Sequence, residues 1–514
     1  MQKKPQQAST AFEILSALAE RIECELADTK STESTHDNDG LLASIDTAYE
    51  AFDRALTTEM DAQHTASLAR VRDYPDCSEA WFSFAEVQRR QGKLDDAQMA
   101  LQRAVELAPS YSTALVSLAA VHRAQGNFDL AVACGERALL CSVDEANTHR
   151  ELGNSLRAAG RLHEAERAYR TSLQLEDDPN THVALGLLLV WQNQIPAALS
   201  SFDAAHQAAG SAQKLADSPL PRIAHEADQV EYLRAQDLIS AEFDDYAASL
   251  RALERNYRNP RQGQDVFDHG TTPRAQSLHR FESVFHVGLS TTLSGAGVNP
   301  NLSTAKIQQD YLNARPGMVC IDDFVTPQAL QALRRYCHEA GVWKMGFPAG
   351  YIGAFLRDGF APACLFQIAE ELRLSLPNIF LDHRLLAAWA FKYDQRMLGI
   401  NIHADPAVIN VNFWITPDEA NLDPSNGGLV VWDTAAPEDW SYADYNINVA
   451  RMKRFIASSG AKAKRFAHRQ NRAVIFNSAL LHKTDTLNFK SGYENRRINI
   501  TLLFGEARGM RHFY

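Results

Sequence analysis

A repeat of 34 residues runs through the first half of the sequence and limits the folds that this half can adopt. Gly92, Gly126 and Gly160 are each 34 residues apart, and each follows a stretch with helical periodicity. Self-similarity at such a period is typical of stacked helical pairs, because one pair cannot bury its apolar side alone. The period therefore predicts a helical solenoid.

Small residues recur at the positions of each repeat where two paired helices would approach most closely. They are Ala85, Ala119, Gly153 and Gly186 in the first helices, and Ala97, Ala131, Ala165 and Ala198 in the second. The best-fitting unit runs from Ser78 to Pro109. On these positions the segment resembles the tetratricopeptide repeat, with about four units over residues 76–210. The resemblance implies a concave groove that binds a peptide or a protein segment; the alternative is a platform or a dimer interface.

The segments on either side of the repeats also carry helical patterns. In residues 1–75 the apolar residues at helical spacing are Phe12, Leu15, Leu18 and Ile22, and a polar stretch over residues 28–40 predicts a loop. Residues 211–310 begin with one apolar stripe, predicted as a single long helix from Tyr232 to Tyr257, and continue as a linker. The stripe fits either a helix that caps the solenoid or a coiled-coil seam in a homodimer.

Two histidines and an aspartate in the second half carry the chemistry that a metal site needs. His403 and Asp405 are two residues apart, so on a strand both would project from one face, and His482 follows a strand-like run at 473–476. Two imidazoles and one carboxylate can occupy one face of a first-row metal and leave three positions open, as in non-heme Fe(II) oxygenases. Because the chain has 17 histidines, the surrounding segments must decide the interpretation.

Strand-like segments near these residues alternate between polar and apolar side chains. Asn410, Asn412 and Trp414 would share one face of a strand. Arg497, Asn499 and Thr501 would share one face of another, again with apolar residues between them. This alternation is typical of a β-barrel with a polar mouth and an apolar outer face.

Residues from about 315 to 514 contain, in order, five elements that resemble the 2-oxoglutarate- and Fe(II)-dependent dioxygenase superfamily, in particular its prolyl-hydroxylase-like and phytanoyl-hydroxylase-like branches. They are an entry strand and helix at 316–340, strands at 385–393 and 399–405, the turn Gly427-Gly428, the strand leading to His482, and Arg497-Ile498-Asn499. The resemblance implies a double-stranded β-helix (jelly-roll) domain over residues 311–514. With the solenoid, the predicted fold class is α + β and multidomain.

The resemblance also implies the cofactors and the residues that bind them. His403, Asp405 and His482 would be the catalytic ligands of Fe(II). Arg497 would bind the distal carboxylate of the co-substrate 2-oxoglutarate, because its planar fork suits bidentate binding. Arg496 is the alternative, because a slip of one residue exchanges the two faces of a strand. Ascorbate is implied as an auxiliary reductant.

Four further residues are candidates for contact with 2-oxoglutarate. Asn499 stands where the family usually has serine and could donate to the same carboxylate. Tyr393, Asn410 and Asn412 are either co-substrate contacts or ordinary lining of the barrel.

The predicted function is therefore hydroxylation of a protein or peptide side chain that the repeat groove recruits. The alternatives are hydroxylation of a small molecule, and an adaptor whose oxygenase fold is catalytically silent. The segment from Asp433 to Arg472, rich in aromatic and basic residues, is predicted to form part of the substrate mouth. His468 lies in this segment without the strand context of His482, and we do not predict it as a ligand.

Composition restricts the partners and the compartment. A net charge of −12 argues against nonspecific binding to nucleic acid. No apolar run reaches the length of a membrane span and no secretory signal pattern is visible, so we expect a cytoplasmic protein without membrane contact. The seven cysteines are scattered and none forms a Cys-x-x-Cys pair, which favours free thiols.

Overall fold

The computed structural model describes residues 38–209, 218–258, 280–281, 292–347, 350–394 and 399–506. The helical pattern predicted at Phe12 to Ile22 and much of the predicted linker lie outside these residues. The helices are α1 (Asn38–Asp73), α2 (Ser78–Arg90), α3 (Leu94–Leu107), α4 (Ser112–Ala124), α5 (Phe128–Cys141), α6 (Ala146–Ala158), α7 (Leu162–Leu175), α8 (Pro179–Trp191), α9 (Ile195–Ala209), α10 (Leu220–Ala235), α11 (Asp244–Arg258), α12 (Thr304–Asn313), α13 (Pro327–Glu339), α14 (Ala363–Ser375), α15 (Pro377–Phe380) and α16 (Val449–Ser459). The strands are β1 (Met318–Ile321), β2 (Met345–Phe347), β3 (Tyr351–Phe355), β4 (Leu385–Tyr393), β5 (Ile409–Trp414), β6 (Leu429–Ala435), β7 (Ala463–Phe466), β8 (Ala473–Asn477), β9 (Leu480–Thr484) and β10 (Arg497–Phe504).

Helices α2 to α9 form the four predicted pairs. The turn inside a pair needs a residue with positive φ, and Gly92, Gly126 and Gly160 supply it with φ of 84°, 79° and 76°. The fourth pair has Asn193 there, with φ of 59°; asparagine is among the few other residues that tolerate this conformation. The missing glycine therefore does not end the repeat.

The predicted small positions are the sites of close helix contact. The alanines at these positions are fully buried. A Cβ added to Gly153 would lie 2.6 Å from the ring of Tyr169, and one added to Gly186 would lie 2.6 Å from the ring of Phe202. An aromatic ring of the second helix thus fills the space that each glycine leaves open.

The apolar stripe predicted as one helix is divided in two. Helix α10 ends at Ala235, Asp237 adopts a left-handed φ of 55°, and α11 begins at Asp244. The two helices pack on each other, and Tyr246, Leu250 and Leu253 are buried in a shared cluster with residues of α10. The prediction of one long helix was wrong, because apolar spacing does not show a reversal of the chain. The stripe residues from Ile239 to Leu253 are buried inside the chain, so this part of the stripe does not form an exposed seam.

Two other boundaries differ from the predictions. Residues 38–40, predicted as the end of a loop, are the start of α1, and the region predicted as linker contains most of α12. The predicted helix from Pro327 is confirmed as α13, where the Thr326 side chain accepts a hydrogen bond from the Ala329 N–H and Pro327 takes the first turn.

The described residues of the second half form two antiparallel sheets. One has seven strands in the order β1-β8-β5-β10-β4-β3-β2, and the other has three in the order β7-β6-β9. Trp414, Val474 and Phe476 of the large sheet share a buried cluster with Leu429 and Val431 of the small one, so the sheets face each other. The predicted strand at 385–393 is confirmed as β4, whereas residues 399–405 form only an isolated bridge at His403.

The outer face of the large sheet is continuous with the last repeats. Ile498, Ile500 and Leu502 belong to the same buried cluster as residues of α8 and α9. Phe202 of α9 stacks on Phe366 of α14 at 5.1 Å, and the Trp191 indole N–H donates to the Leu385 carbonyl over 2.7 Å. The solenoid and the sheets therefore share one core.

Two predictions from composition concern the described residues. No helix among them combines the length and the apolar character that a membrane crossing requires. The described cysteines are all unpaired thiols, at Cys77, Cys134, Cys141, Cys320, Cys337 and Cys364.

Candidate metal centre

Backbone pairing brings the predicted triad together at the edge of the small sheet. The N–H of His403 donates to the carbonyl of His482 over 2.9 Å, and the reciprocal bond measures 2.8 Å. The N–H of Asp405 donates to the carbonyl of Ser478 over 3.1 Å. The segment that carries His403 and Asp405 thus runs beside β9, which carries His482.

The three side chains converge on one point. One ligand atom from each of His403, Asp405 and His482 lies within 4.8 Å of the other two. The Nε2 atom of His482 is 3.4 Å from Asp405 Oδ2, and that of His403 is 4.0 Å from Asp405 Oδ1. These separations suit three ligands around a single ion. No other group of three His, Cys, Asp or Glu residues in the described part of the chain is arranged in this way.

Backbone carbonyls orient both imidazoles. His403 Nδ1 lies 2.8 Å from the carbonyl of Asn401, and His482 Nδ1 lies 2.9 Å from that of Leu480. Because a carbonyl can only accept, each Nδ1 carries the proton and each Nε2 keeps its lone pair for a metal. Asn410 Nδ2 donates to Asp405 Oδ2 over 2.7 Å and orients the carboxylate in the same manner.

The ionisation of the triad also favours a cation. Burial lowers the pKa of His403 to about 4, assisted by His482 and opposed by Asp405. Burial alone would raise the pKa of Asp405, but the contacts with His482 and His403 and the hydrogen bond from Asn410 outweigh it, and that pKa is lowered. At neutral pH the centre therefore offers a neutral His403 imidazole beside a carboxylate.

Helix α1 and the segment 433–472 support the back of the centre. Asn401 donates to the Tyr49 hydroxyl over 2.5 Å, and the N–H of Ala404 donates to the carbonyl of Tyr445 over 2.8 Å. In this segment Arg454 pairs with Glu50 of α1 at 2.6 Å, and Lys453 pairs with Asp46. Residues near the start of this segment, together with α16, thus pack against α1 and against the residues around His403. The predicted role of the segment at the substrate mouth stays a prediction.

Arg497 lies fully buried on the inner face of the large sheet. Its Nε donates to the Gly427 carbonyl over 2.6 Å, Nη2 to the Gly428 carbonyl over 3.1 Å, and Nη1 to Asn499 Oδ1 over 2.9 Å. The guanidinium also stacks over the ring of Tyr393 at 4.7 Å. Burial lowers the pKa of Arg497, although Tyr393 opposes this shift.

Arg496 points to the opposite face. Its Nη2 donates to Asp228 Oδ2 of α10 over 2.5 Å. Because adjacent residues of a strand face opposite sides, only Arg497 of the two faces the interior with Asn499.

The remaining predicted residues line the same interior. Asn412 donates to the Thr501 hydroxyl over 3.1 Å, and the Tyr393 hydroxyl is 3.4 Å from that of Thr484. Thr484 was not predicted, although its position two residues after His482 places it on the same strand face. His468, rejected as a ligand, is outside the triad; its buried ring packs against Trp414 and Phe489. The sequence around His468 has no pattern that would have placed it there.

Gly428 should be among the least replaceable residues of the site. A Cβ at this position would overlap the carbonyl oxygen of Phe466, so Gly428→Ala must displace the backbone that holds Arg497. We expect its free energy of unfolding, measured with urea, to fall by about 3 kcal/mol, the upper end of the usual overpacking cost. Gly295→Ala is the matched control, since its added Cβ meets no atom within 4 Å. Equal stability of the two variants would contradict the prediction.

Two buried histidines should make the fold sensitive to acid. Burial lowers the pKa of His338 and His468 to about 3 each, assisted by nearby cationic side chains. Above pH 6.5 both are neutral in the folded and unfolded states; below it, only the unfolded state takes up their protons. Stability should therefore fall as pH drops from 6.5 towards 3, by up to about 1.4 kcal/mol per pH unit for each histidine. Between pH 6 and 5 the free energy of unfolding of His468→Leu, measured with urea, should fall less steeply than that of the wild type. An unchanged slope would contradict this.

Comparisons with known proteins concern the repeats. Two family models described as "Tetratricopeptide repeat" match residues 78–111 and 110–175. No curated protein matches the sequence significantly.

Several solved structures resemble parts of the chain. MamA is 17% identical, over 30% of this chain and 92% of MamA, with a TM-score of 0.28. A thermophilic tetratricopeptide repeat protein of Thermus thermophilus is 20% identical, over 37% of this chain and 91% of that protein, with a TM-score of 0.26. A mutant O-GlcNAc transferase of Thermobaculum terrenum is 29% identical, over 27% of this chain and 26% of that enzyme, with a TM-score of 0.25.

These scores are too low to compare whole structures, so the assignment depends on the family models and on the helical pairs. Residues 78–175 form tetratricopeptide repeats, and they precede antiparallel sheets that carry a His-Asp-His cluster close enough to hold one metal ion.

Proposed function

We propose that this protein is an Fe(II)- and 2-oxoglutarate-dependent dioxygenase that hydroxylates a protein or peptide substrate, and that its two facing sheets form a jelly-roll oxygenase domain. The observation that carries the proposal is the convergence of His403, Asp405 and His482. The position of Arg497 on the adjoining inner wall supports it further.

The donor set fits Fe(II). Two neutral imidazole nitrogens and one carboxylate oxygen are the ligands of the facial triad that leaves coordination positions open for co-substrate and dioxygen. A structural zinc site would need four protein ligands, and only three such groups are arranged together in the described residues.

The wall between the triad and Arg497 fits a dicarboxylate. Thr484 is two residues beyond His482 and so about 7 Å along the same strand face. Its hydroxyl contacts that of Tyr393, whose ring lies under the Arg497 guanidinium. One end of 2-oxoglutarate would thus reach the metal, and the other would reach Arg497.

Arg497 keeps capacity for a ligand carboxylate. Its hydrogen bonds to Gly427, Gly428 and Asn499 use three of the five N–H donors of a guanidinium. Asn499, at the family's serine position, accepts from Arg497 through Oδ1, so we assign it to orienting the guanidinium.

When bound, Fe(II) and 2-oxoglutarate supply the oxidative decarboxylation that activates dioxygen for hydroxylation. The protein holds its ligands in fixed orientations through Asn401, Leu480 and Asn410. Phe476 packs edge-on against the His482 ring at 4.9 Å and shares a buried apolar cluster with Trp414 and Leu480, which would limit access of water to this side of the centre. The repeats support a protein or peptide substrate, because solenoids of this kind present extended concave binding surfaces.

The test is to reconstitute the full chain anaerobically with Fe(II) and 2-oxoglutarate, and then to admit oxygen. We expect about one bound Fe(II) per chain, binding of 2-oxoglutarate that requires the metal, and succinate release after oxygen. Calorimetry measures the binding, and mass spectrometry the succinate. Failure of both the metal and 2-oxoglutarate to bind would overturn the proposal in favour of an adaptor.

A further inference from the structure

A cavity of about 550 Å³, including the part open to solvent, lies between the repeats and the start of β4. Its polar lining consists of Arg123, Arg150, Asn154, Arg157 and Asn180, and Leu386 forms part of the opposite wall. The polar residues come from α4, α6 and α8, the first helices of three successive pairs. The cavity therefore lies along the face that the first helices of the pairs form, and the β-region closes it on one side.

The spacing of these polar residues places their hydrogen-bond donors in a row along the cavity. Arg150, Asn154 and Arg157 are at positions i, i+4 and i+7 of α6, so they share one helix face. Arg123 on α4 and Asn180 on α8 extend the row to either side. Neighbouring helices pack about 10 Å apart, so the row spans about 20 Å, enough for roughly six residues of an extended chain.

Several donors in this row lack partners. The Arg157 side chain is only 8% exposed, and its Nη2 donates to Glu506 over 2.9 Å. Its guanidinium lies over the Trp191 ring at 4.9 Å, but its Nε and Nη1 have no hydrogen-bond partner among the described residues. The Nε of Arg123 is likewise buried and unpaired within the described part of the chain. Arg150 donates through Nη2 to Asn147 Oδ1 over 2.6 Å, and it lies 3.6 Å from Asp178 and 3.8 Å from Glu151. Arginine has no acceptor, so a ligand here must supply acceptor oxygens.

The cavity wall is connected to the metal centre through the sheet. The register between β4 and β10 shifts so that Leu386 has no partner: Ala387 pairs with Leu503, and Leu385 pairs with Phe504. A bulge of this kind redirects a side chain, and Leu386 forms part of the cavity wall. Leu503 in turn pairs with Asn410, which donates to Asp405. Two strand spacings, about 10 Å, therefore separate Ala387 from Asn410.

We propose that this cavity binds an acidic segment of the protein substrate. Arg150 and Arg157 would hold a carboxylate side chain, and Asn154 and Asn180 would hold the backbone on either side. The inference rests on the proposed function and specifies its substrate class. A peptide is favoured over a small carboxylate because the donors extend over three helices, whereas one carboxylate can engage only one or two of them.

The test uses a fluorescein-labelled decapeptide of alternating Gly and Glu, with the Gly-Gln decapeptide as its neutral counterpart. Anisotropy is measured on the full chain without metal or 2-oxoglutarate. We expect the Glu peptide to bind, and its Kd to increase at least about tenfold when Gln replaces Glu, because charge-assisted hydrogen bonds are lost. Arg150→Gln should weaken binding of the Glu peptide to a similar extent. Arg150 is 24% exposed and its hydrogen bond to Asn147 lies within a single helix, so this variant should fold.

Arg170→Gln is the matched control. Arg170 lies on α7, the second helix of the same pair; it is 54% exposed and bonded to Glu166 at 2.5 Å. The Arg170→Gln variant should leave the Kd of the Glu peptide unchanged. Absence of binding by the Glu peptide, equal binding of both peptides, or equal effects of the two arginine variants would overturn the proposal. Displacement of the peptide by N-acetylglutamate at the concentration at which the peptide itself binds would also overturn it, in favour of a small carboxylate. Since the assay contains no metal, its failure is distinguishable from failure of the oxygenase chemistry.

Discussion

Replacing His482 with alanine should lower both Fe(II) affinity and succinate formation by at least about 100-fold, since loss of a residue that merely supports a metal ligand costs 10- to 100-fold. The variant removes the Nε2 atom that lies 3.4 Å from Asp405. It leaves the two backbone hydrogen bonds between residues 482 and 403 in place, so the fold should persist. His403→Ala and Asp405→Ala should have the same effect.

The control for this series is His163→Ala, an exposed histidine on α7, which should keep wild-type activity. Metal content after anaerobic gel filtration and succinate formation should fall together in the triad variants, with circular dichroism unchanged. A triad variant with wild-type turnover would show that these side chains do not bind the catalytic metal.

Arg497→Lys should raise the concentration of 2-oxoglutarate that gives half-maximal succinate formation by at least about tenfold. Lysine keeps the charge but loses the fork that bonds a carboxylate in two places, and a hydrogen bond to a charged group contributes about 1.5–3 kcal/mol. The substitution also takes donors from the Gly427 and Gly428 carbonyls. We therefore expect the free energy of unfolding to fall by about 2 kcal/mol as well.

Arg496→Lys is the matched control, because Arg496 bonds Asp228 on the other face of β10. It should leave the dependence on 2-oxoglutarate unchanged. Calorimetric titration of the folded, metal-loaded variants separates loss of affinity from loss of stability. A larger effect at Arg496 than at Arg497 would show that the inner face has been assigned to the wrong residue.

Much of the candidate site could be predicted because it depends on strand alternation. Arg497 and Asn499 are two positions apart, which places both on one face of β10. His403 and Asp405 have the same spacing and also converge, although their segment forms only a single bridge to β9. The position of Thr484 in the site and the burial of His468 beside it were not predicted, for different reasons. Thr484 follows from the same rule applied to His482, whereas His468 reaches the interior only because the segment that carries it folds back against Trp414 and Phe489.

Apolar spacing along the sequence also led to an error, in the number of helices between the two halves of the chain. The stripe from Tyr232 to Tyr257 correctly indicated an amphipathic helical surface, but the surface is divided between α10 and α11, which pack on each other. Periodicity shows which side of a helix is buried, and it carries no information on whether the partner is the same chain, the next domain or a second copy.

The sequence by itself determined the period of the solenoid, the small residues at its helix contacts, and the identity of the three candidate ligands, because each depends on spacing along the chain. Only the tertiary structure decided that the last repeats share a core with the sheets, that Arg496 faces Asp228, and that Arg150 and Arg157 meet Leu386 across a cavity. These features join residues up to hundreds of positions apart. They depend on how whole elements pack, and local side-chain patterns leave that packing open.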